Sequence, residues 1–168
     1  MIRYVQTLRK LTVNQTEMET EQMDKAAYRR IAKIYENDAK ILRMKNYIQH
    51  GKITTYDHVK RVAETSYMLN HRFKFKANDE ELIKGAFLHD YFLYDWHQWR
   101  GPLHGFYHPK AALENAERDF ILSEREKNII RSHMWPLTLG NIPRCREAWI
   151  VSAADKICSL KETFMMRR

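Results

Sequence analysis

Six side chains able to bind a transition metal are strung along the later two-thirds of the chain: His58, His89, Asp90, His108, His133 and Asp155. Two of them are adjacent, in LIKGAFLHDYFLYDW at residues 82–96. Leu82, Ile83, Ala86 and Phe87 recur at helical spacing, so His89-Asp90 rides on a buried helix. An imidazole and a carboxylate are costly to bury unless something satisfies them. A divalent transition metal does so, because neutral imidazole nitrogen and carboxylate oxygen are both good ligands. Neighbouring residues on a helix diverge by about 100°, so the two would reach a cation above the groove between them. Taken alone, the dipeptide reads more readily as a hydrogen-bonded pair or an exposed face, since any dipeptide recurs by chance. Asp155 is the strongest single case. Ile150, Val151, Ala153 and Ala154 surround it and offer no partner, and an unpaired carboxylate there is destabilising.

The elements that must position these groups are helices. Gly and Pro are scarce, at 5 and 4 of 168 residues, and periodic stretches are long, which points to an all-α chain. Residues 1–14 suit a short strand or helix. A helical segment follows from about Met18 to Ile48, with Met23, Ala26, Ala27, Ile31, Ile34, Ile41 and Ile48 as an apolar stripe; Gly51 stops it. A second helix is expected over about 55–73, capped by Thr54 or Thr55, with His58 in its first turn. A third opens at Asn78-Asp79-Glu80-Glu81, read as a capping box, and runs to about Trp96. Pro109, a favoured first helical residue, places His108 at the cap of a fourth. Ser123-Glu124-Arg125-Glu126 is a second capping box and opens a fifth, with His133 near its end. The last runs from Pro143 to about Met165, with Trp149, Ile150, Ala153, Ile157 and Leu160 as its buried stripe. His58, the pair His89-Asp90, His108, His133 and Asp155 thus each lie in or beside a different helix, the distribution a bundle needs to build a metal site.

The chain is long enough to bury roughly two-thirds of its unfolded surface as one domain. No apolar run approaches the ~20 residues of a membrane span, and MIRYVQTLRKLTVNQ lacks the apolar core of a secretory signal. Cys145 and Cys158 are too few and too distant for a disulfide framework, so a cytoplasmic location is expected. The net charge of +8 fits anionic partners such as phosphate esters, nucleotides or nucleic acid.

From His58 in YDHVKRVA, through His89-Asp90 in GAFLHD, to Asp155 in IVSAADK, the chain resembles the HD superfamily of metal-dependent phosphohydrolases. His108-Pro109-Lys110-Ala111-Ala112 is similar to the HPxxGA segment of the binuclear branches, with Ala112 in place of glycine. Ile130-Arg131-Ser132-His133 is similar to their IxxH segment. The resemblance spans about Thr54 to Glu162 and implies an HD-like helical bundle over 51–168, behind an N-terminal helical extension over 1–50. It implies one or two divalent transition metals (Mn, Fe, Co, Ni or Zn) on His58, His89, Asp90 and Asp155. His108 and His133 would complete a second position, with Asp90 bridging. Paired cations would stabilise the attacking and leaving oxygens at phosphorus and yield hydroxide near neutral pH.

Leu93 stands where many members carry a phosphate-binding lysine, so Lys110, Lys156, Arg100 or Arg131 becomes the candidate for that charge. No GYP triplet is present, so the cyclic di-GMP phosphodiesterase branch is not supported. His104 is an alternative ligand or a substrate contact. Asp57 and Asp95 are candidates to orient ligand imidazoles. Trp96, Trp99, Phe106, Tyr107 and Trp135 could stack a nucleobase, and His50, His71 and His97 read as surface residues. The expected function is hydrolysis of a small, anionic phosphate compound, a nucleotide being the favoured case. Two alternatives stand beside it: a metal-stabilised helical module that binds nucleic acid, disfavoured because the positive charge forms no stripe, and a diiron oxygenase of the same superfamily.

Overall fold

In the computed structural model, residues 25–98 and 104–165 are described. The chain runs through α1 (25–36), α2 (Ala39–Leu42), a 3-10 turn (Arg43–Asn46), and a hairpin of β1 (Ile48–His50) and β2 (Ile53–Thr54). Then follow α3 (Thr55–Arg72), α4 (Asp79–Leu88), a second 3-10 turn (Trp96–Gln98), α5 (His104–Asp119), α6 (Glu124–Ser132) and α7 (Arg146–Met165). The fold is all-α apart from the two short antiparallel strands. The expected residues 1–14 element, Met18, Met23, Trp99 and Arg100 lie outside the described residues.

α3 starts where its caps dictate. The Thr54 hydroxyl accepts from the Asp57 N–H, and the Asp57 carboxylate accepts from the Thr54 N–H and hydroxyl, satisfying otherwise orphaned donors. Its inner face, including Val59, Val62 and Ala63, packs against α4 and α7. On α4, Leu82, Ile83, Ala86 and Phe87 are fully buried, as their spacing required. Gly85 lets α6 approach closely, because a Cβ there would collide with the Ile129 side chain. Tyr28, Ala32, Ile41 and Met44 join the same core as α3 to α7.

Several expectations are corrected. From residue 25 onward, the long helix expected over 18–48 is instead α1, α2 and a 3-10 turn, followed by the hairpin. Asp38 interrupts the run by capping α2, and Gly51 serves the hairpin turn in the left-handed region, φ 57°. α4 ends at Leu88 rather than near Trp96. The chain leaves the helix at His89-Asp90, Leu93 adopts φ 57°, and Asn115 donates to the freed carbonyls of Tyr91 and Phe92. Asn78 caps α4, but Glu81 does not reach back; it accepts from Ser123 and Arg125 instead, and the Asn78 N–H donates to Glu147. His108 lies inside α5 rather than at its cap, one residue before an internal proline. α7 is rotated from the expected phase. Ile150 is buried as expected, but the rest of the inner face is Ala148, Val151, Ala154 and Cys158, whereas Trp149, Ala153, Ile157 and Leu160 face outward.

Candidate metal centre

Rotating α7 this way turns Asp155 and Glu162 inward, both at most 7 % exposed. Asp155 Oδ1 comes to 3.2 Å from His58 Nε2 and 3.9 Å from His89 Nε2. α3 supplies His58 from just inside its capped first turn, and His89 and Asp90 enter where α4 unwinds. His108 comes from the buried face of α5, and His133 caps the C-terminus of α6. Their nitrogens, His108 Nε2 and His133 Nε2, are 2.8 Å apart. All six candidate ligands are buried, and they form two groups. His58, His89 and Asp155 make one; Asp90, His108 and His133 make the other; within each group the ligand atoms lie within 4.8 Å of one another.

Asp90 faces both groups. Its Oδ1 lies 3.1 Å from His108 Nε2 and 3.4 Å from His133 Nε2, while its Oδ2 lies 3.8 Å from His58 Nε2 and 3.6 Å from His89 Nε2. One oxygen per group is the geometry of a carboxylate able to bridge two cations.

The histidines are held in one orientation by what their other nitrogens touch. Nδ1 of His89 sits 2.6 Å from the Ala86 carbonyl, and Nδ1 of His133 2.8 Å from that of Ile130. A carbonyl only accepts, so each Nδ1 carries the proton and each Nε2 presents a lone pair inward. His108 Nδ1 leans likewise on the His104 carbonyl at 3.3 Å. The two facing Nε2 atoms of His108 and His133 therefore need a proton or cation between them. Their 2.8 Å separation suits two ligands on one ion, each ~2.0–2.1 Å from it.

Two buried polar atoms, His89 Nε2 and Asp90 Oδ1, have no hydrogen-bond partner among the described residues. Leaving such atoms unpaired in a core is costly, and metal ligation removes that cost. The donor set, imidazole nitrogen with carboxylate oxygen, fits a divalent transition metal.

Electrostatics agree with that reading. Burial pushes the His89 imidazole down to about 4, so it stays neutral and available as a ligand. Burial opposes charge on His58 as well, but the Asp155 and Glu162 carboxylates bonded to its two nitrogens prevail and raise it to about 10 in the absence of a cation. Asp90 and Asp155 are held well below the usual carboxylate range, burial being outweighed by the surrounding imidazoles.

Above the ligands opens a cleft of about 580 Å³, walled by Gln49, His50, Trp96, His104, Leu137 and Lys156 among others. Gln49, His50 and Glu162 have roles that the sequence did not show, the first two on the cleft wall and Glu162 behind His58. Gln49 donates from Nε2 to Asp90 Oδ2 at 2.7 Å and accepts from the Thr55 hydroxyl. Glu162 accepts from His58 Nδ1 at 3.0 Å and pairs with Arg61 at 3.0 Å. His50, expected on the surface, stands on the cleft wall with its ring 6.1 Å from that of His58. His104 stacks between Trp96 and His108 and meets the Tyr94 hydroxyl at 3.0 Å. Asp57 and Asp95 do not orient ligand imidazoles; Asp57 belongs to the α3 cap, and Asp95 bonds His97 and Gln98.

The candidate cations separate. Lys156 reaches the cleft, where its ammonium donates to the His133 carbonyl at 2.8 Å and to the Ser152 carbonyl and hydroxyl at 3.1 Å; burial lowers its pKa. Lys110 is not brought there: it is exposed on α5 and lies 3.8 Å from Glu114. Arg131 faces a different hollow, beside Glu124 and Arg144.

A helical bundle whose separate helices converge on two His/Asp groups, with one carboxylate facing both, is able to hold divalent metal ions. The chain belongs to the HD domain family, whose model matches residues 55–160, more than half of the 168 residues. HD domains are in general metal-dependent hydrolases, and the matched span contains all six candidate ligands. Neither the curated proteins nor the solved structures compared with the chain give a match. Among the described residues no helix is long and apolar enough to cross a membrane.

Proposed function

We propose that the protein is a metal-dependent phosphohydrolase acting on a small phosphate ester, with a nucleotide as the favoured substrate. The observation that carries this reading is the split environment of Asp90, one oxygen toward His108 and His133 and the other toward His58 and His89. In this reading His58, His89 and Asp155 would hold one cation and His108 and His133 a second, with Asp90 shared between the two groups. Bound cations supply positive charge at the phosphoryl oxygens and acidify water near neutral pH.

The chain's own residues do the positioning. The carbonyls of Ala86, Ile130 and His104 and the Glu162 carboxylate keep the four Nε2 atoms turned inward. Gln49 fixes the Asp90 carboxylate plane. Lys156 is the one formal cation among the described residues that wall the cleft. Its three hydrogen bonds are spent on backbone and Ser152, so it offers a fixed charge rather than a free donor to phosphate. Trp96, Met134, Pro136 and Leu137 give the rest of the substrate an apolar wall. A single cationic side chain and an apolar wall suit a monoester better than a polyphosphate.

A phosphate-release screen of metal-loaded protein across nucleotides and simple esters tests the proposal. Release is expected only with transition metal present, and Asp90→Ala should abolish both metal and release. Full metal content and turnover in that variant would end the assigned role. Oxygen uptake that requires reduced iron, with no phosphate released, would replace hydrolysis by oxygenation.

A further inference from the structure

The positive charge is not spent at the metal cleft. Two adjoining hollows of about 860 and 330 Å³ share Arg125, Arg144 and Cys145, and neither shares a lining residue with the cleft. They lie where the segment before α7 crosses α6 and the start of α4. Lys76, Arg144 and Arg146 line the larger hollow, and Arg131 lines the smaller beside Arg144.

These four cations make no ion pair with any described residue, whereas the nearby acids are already engaged. Glu81 pairs with Arg125 at 2.8 Å and Glu124 with Lys127 at 3.4 Å. Glu147 is 5 % exposed and turned inward to accept from the Asn78 N–H at 2.8 Å. The loop is fixed rather than loose: the Arg144 N–H donates to Asn128 Oδ1 at 2.7 Å, and Arg146 Nη1 donates to the Lys76 carbonyl at 3.4 Å. Trp149 completes the larger hollow. Its indole is 44 % exposed and braced edge-on by Trp135, with ring centroids 4.7 Å apart.

We infer that this hollow is a second binding site, for a nucleoside polyphosphate. Guanidinium groups from one fixed segment bind phosphate oxygens in paired hydrogen bonds, and a braced, half-exposed indole is a platform for a base. Lys76, Arg144 and Arg146 in this hollow, with Arg131 in the adjoining one, are four cations without an ion pair among the described residues, set against the charge of a triphosphate. They are gathered in two adjoining hollows rather than drawn along a track, which favours a small ligand over a nucleic-acid strand. The site does not depend on the reaction assigned to the metal cleft.

Calorimetric titration of the full metal-loaded chain with β,γ-imido-ATP, inorganic tripolyphosphate, adenosine and a single-stranded oligonucleotide tests the inference. The imido-ATP and tripolyphosphate should bind, adenosine should not, and added salt should weaken both. The double variant Arg144→Ala/Arg146→Ala should lose at least tenfold in affinity for both while keeping its metal content. Trp149→Leu should weaken imido-ATP and leave tripolyphosphate unchanged. Asp90→Ala should still bind imido-ATP. Binding lost in Asp90→Ala but kept in the double arginine variant would put the ligand in the metal cleft and overturn the second site. An oligonucleotide held more tightly than imido-ATP would overturn its assignment to a small ligand.

Discussion

Replacing Glu162 by glutamine removes a charge from behind the metal centre without changing shape. The Glu162 carboxylate is 1 % exposed and accepts from His58 Nδ1 at 3.0 Å, while its other oxygen meets Arg61 at 3.0 Å. A hydrogen bond to a charged group contributes about 1.5–3 kcal/mol net and a neutral one about 0.5–1.5. The glutamine variant therefore gives up roughly 1–1.5 kcal/mol, about tenfold in affinity for the cation that His58 would hold. Glu162 also favours protonated His58, raised to about 10, so part of its field stabilises the competing proton. A divalent cation carries twice that charge, so the balance still favours metal. Glu162→Ala goes further and strands the buried His58 N–H, which raises the expected loss to about a hundredfold, the upper end for such supporting residues. The assay is competition for Zn²⁺ or Mn²⁺ against a chromophoric chelator, with thermal melting run beside it to confirm the fold. Wild-type affinity in both variants, with both folded, would refute the claim that Glu162 supports the ligand His58.

Gln49→Leu deletes the neutral donor to Asp90 and should lower metal affinity or turnover about 10- to 100-fold with melting temperature little changed; an unaffected enzyme would leave Gln49 as cleft lining only. Gly85→Ala drives a methyl into Ile129 and should cost about 1–3 kcal/mol in urea unfolding, against no change if α4 and α6 can part freely. Asp119 should make stability acid-sensitive. Its hydrogen bonds from Arg118, opposed by burial and aided by the bond from Tyr91, hold its pKa at about 2. A folded-state value below the unfolded one near 4 contributes stability that is present above pH 4 and lost as pH falls through 2. The exposed Arg118 screens the interaction, so about 1 kcal/mol is expected, measured as a smaller drop between pH 5 and pH 2.5 in Asp119→Asn than in the wild type.

The candidate ligands were legible because burying charge is costly: Asp155 in an apolar run stands out by residue type, and His89-Asp90, expected on a buried helix and found just past its end, joins it by its place in the series. Their order along the chain then matches that of HD domains. Local capping was equally plain at Thr54, Asn78 and Ser123, whose side chains do accept the first-turn N–H groups. What escaped was phase and partnership. On α7 the larger apolar residues Trp149, Ile157 and Leu160 lie outside, because the inner face is given over to Asp155, Ser152 and Glu162. Hydrophobic periodicity follows bulk and so chose the wrong side. The seven-residue step from Asp155 to Glu162, two helical turns, was the available sign that both point the same way. Gln49 and His50 had no comparable signal, since a hairpin of three and two residues is too short to show alternation. Lys110 and Arg131, each two residues from a candidate ligand in sequence, lie on other faces because two steps along a helix turn by about 200°.

Everything in the account rests on Asp90 joining two metal positions, and metal stoichiometry tests that most directly. Elemental analysis of anaerobically purified protein should find two transition-metal ions per chain, falling toward one in His108→Ala and in His133→Ala, and lost from Asp90→Ala. A single ion in the wild type, or two retained in both histidine variants, would contradict the bridged centre.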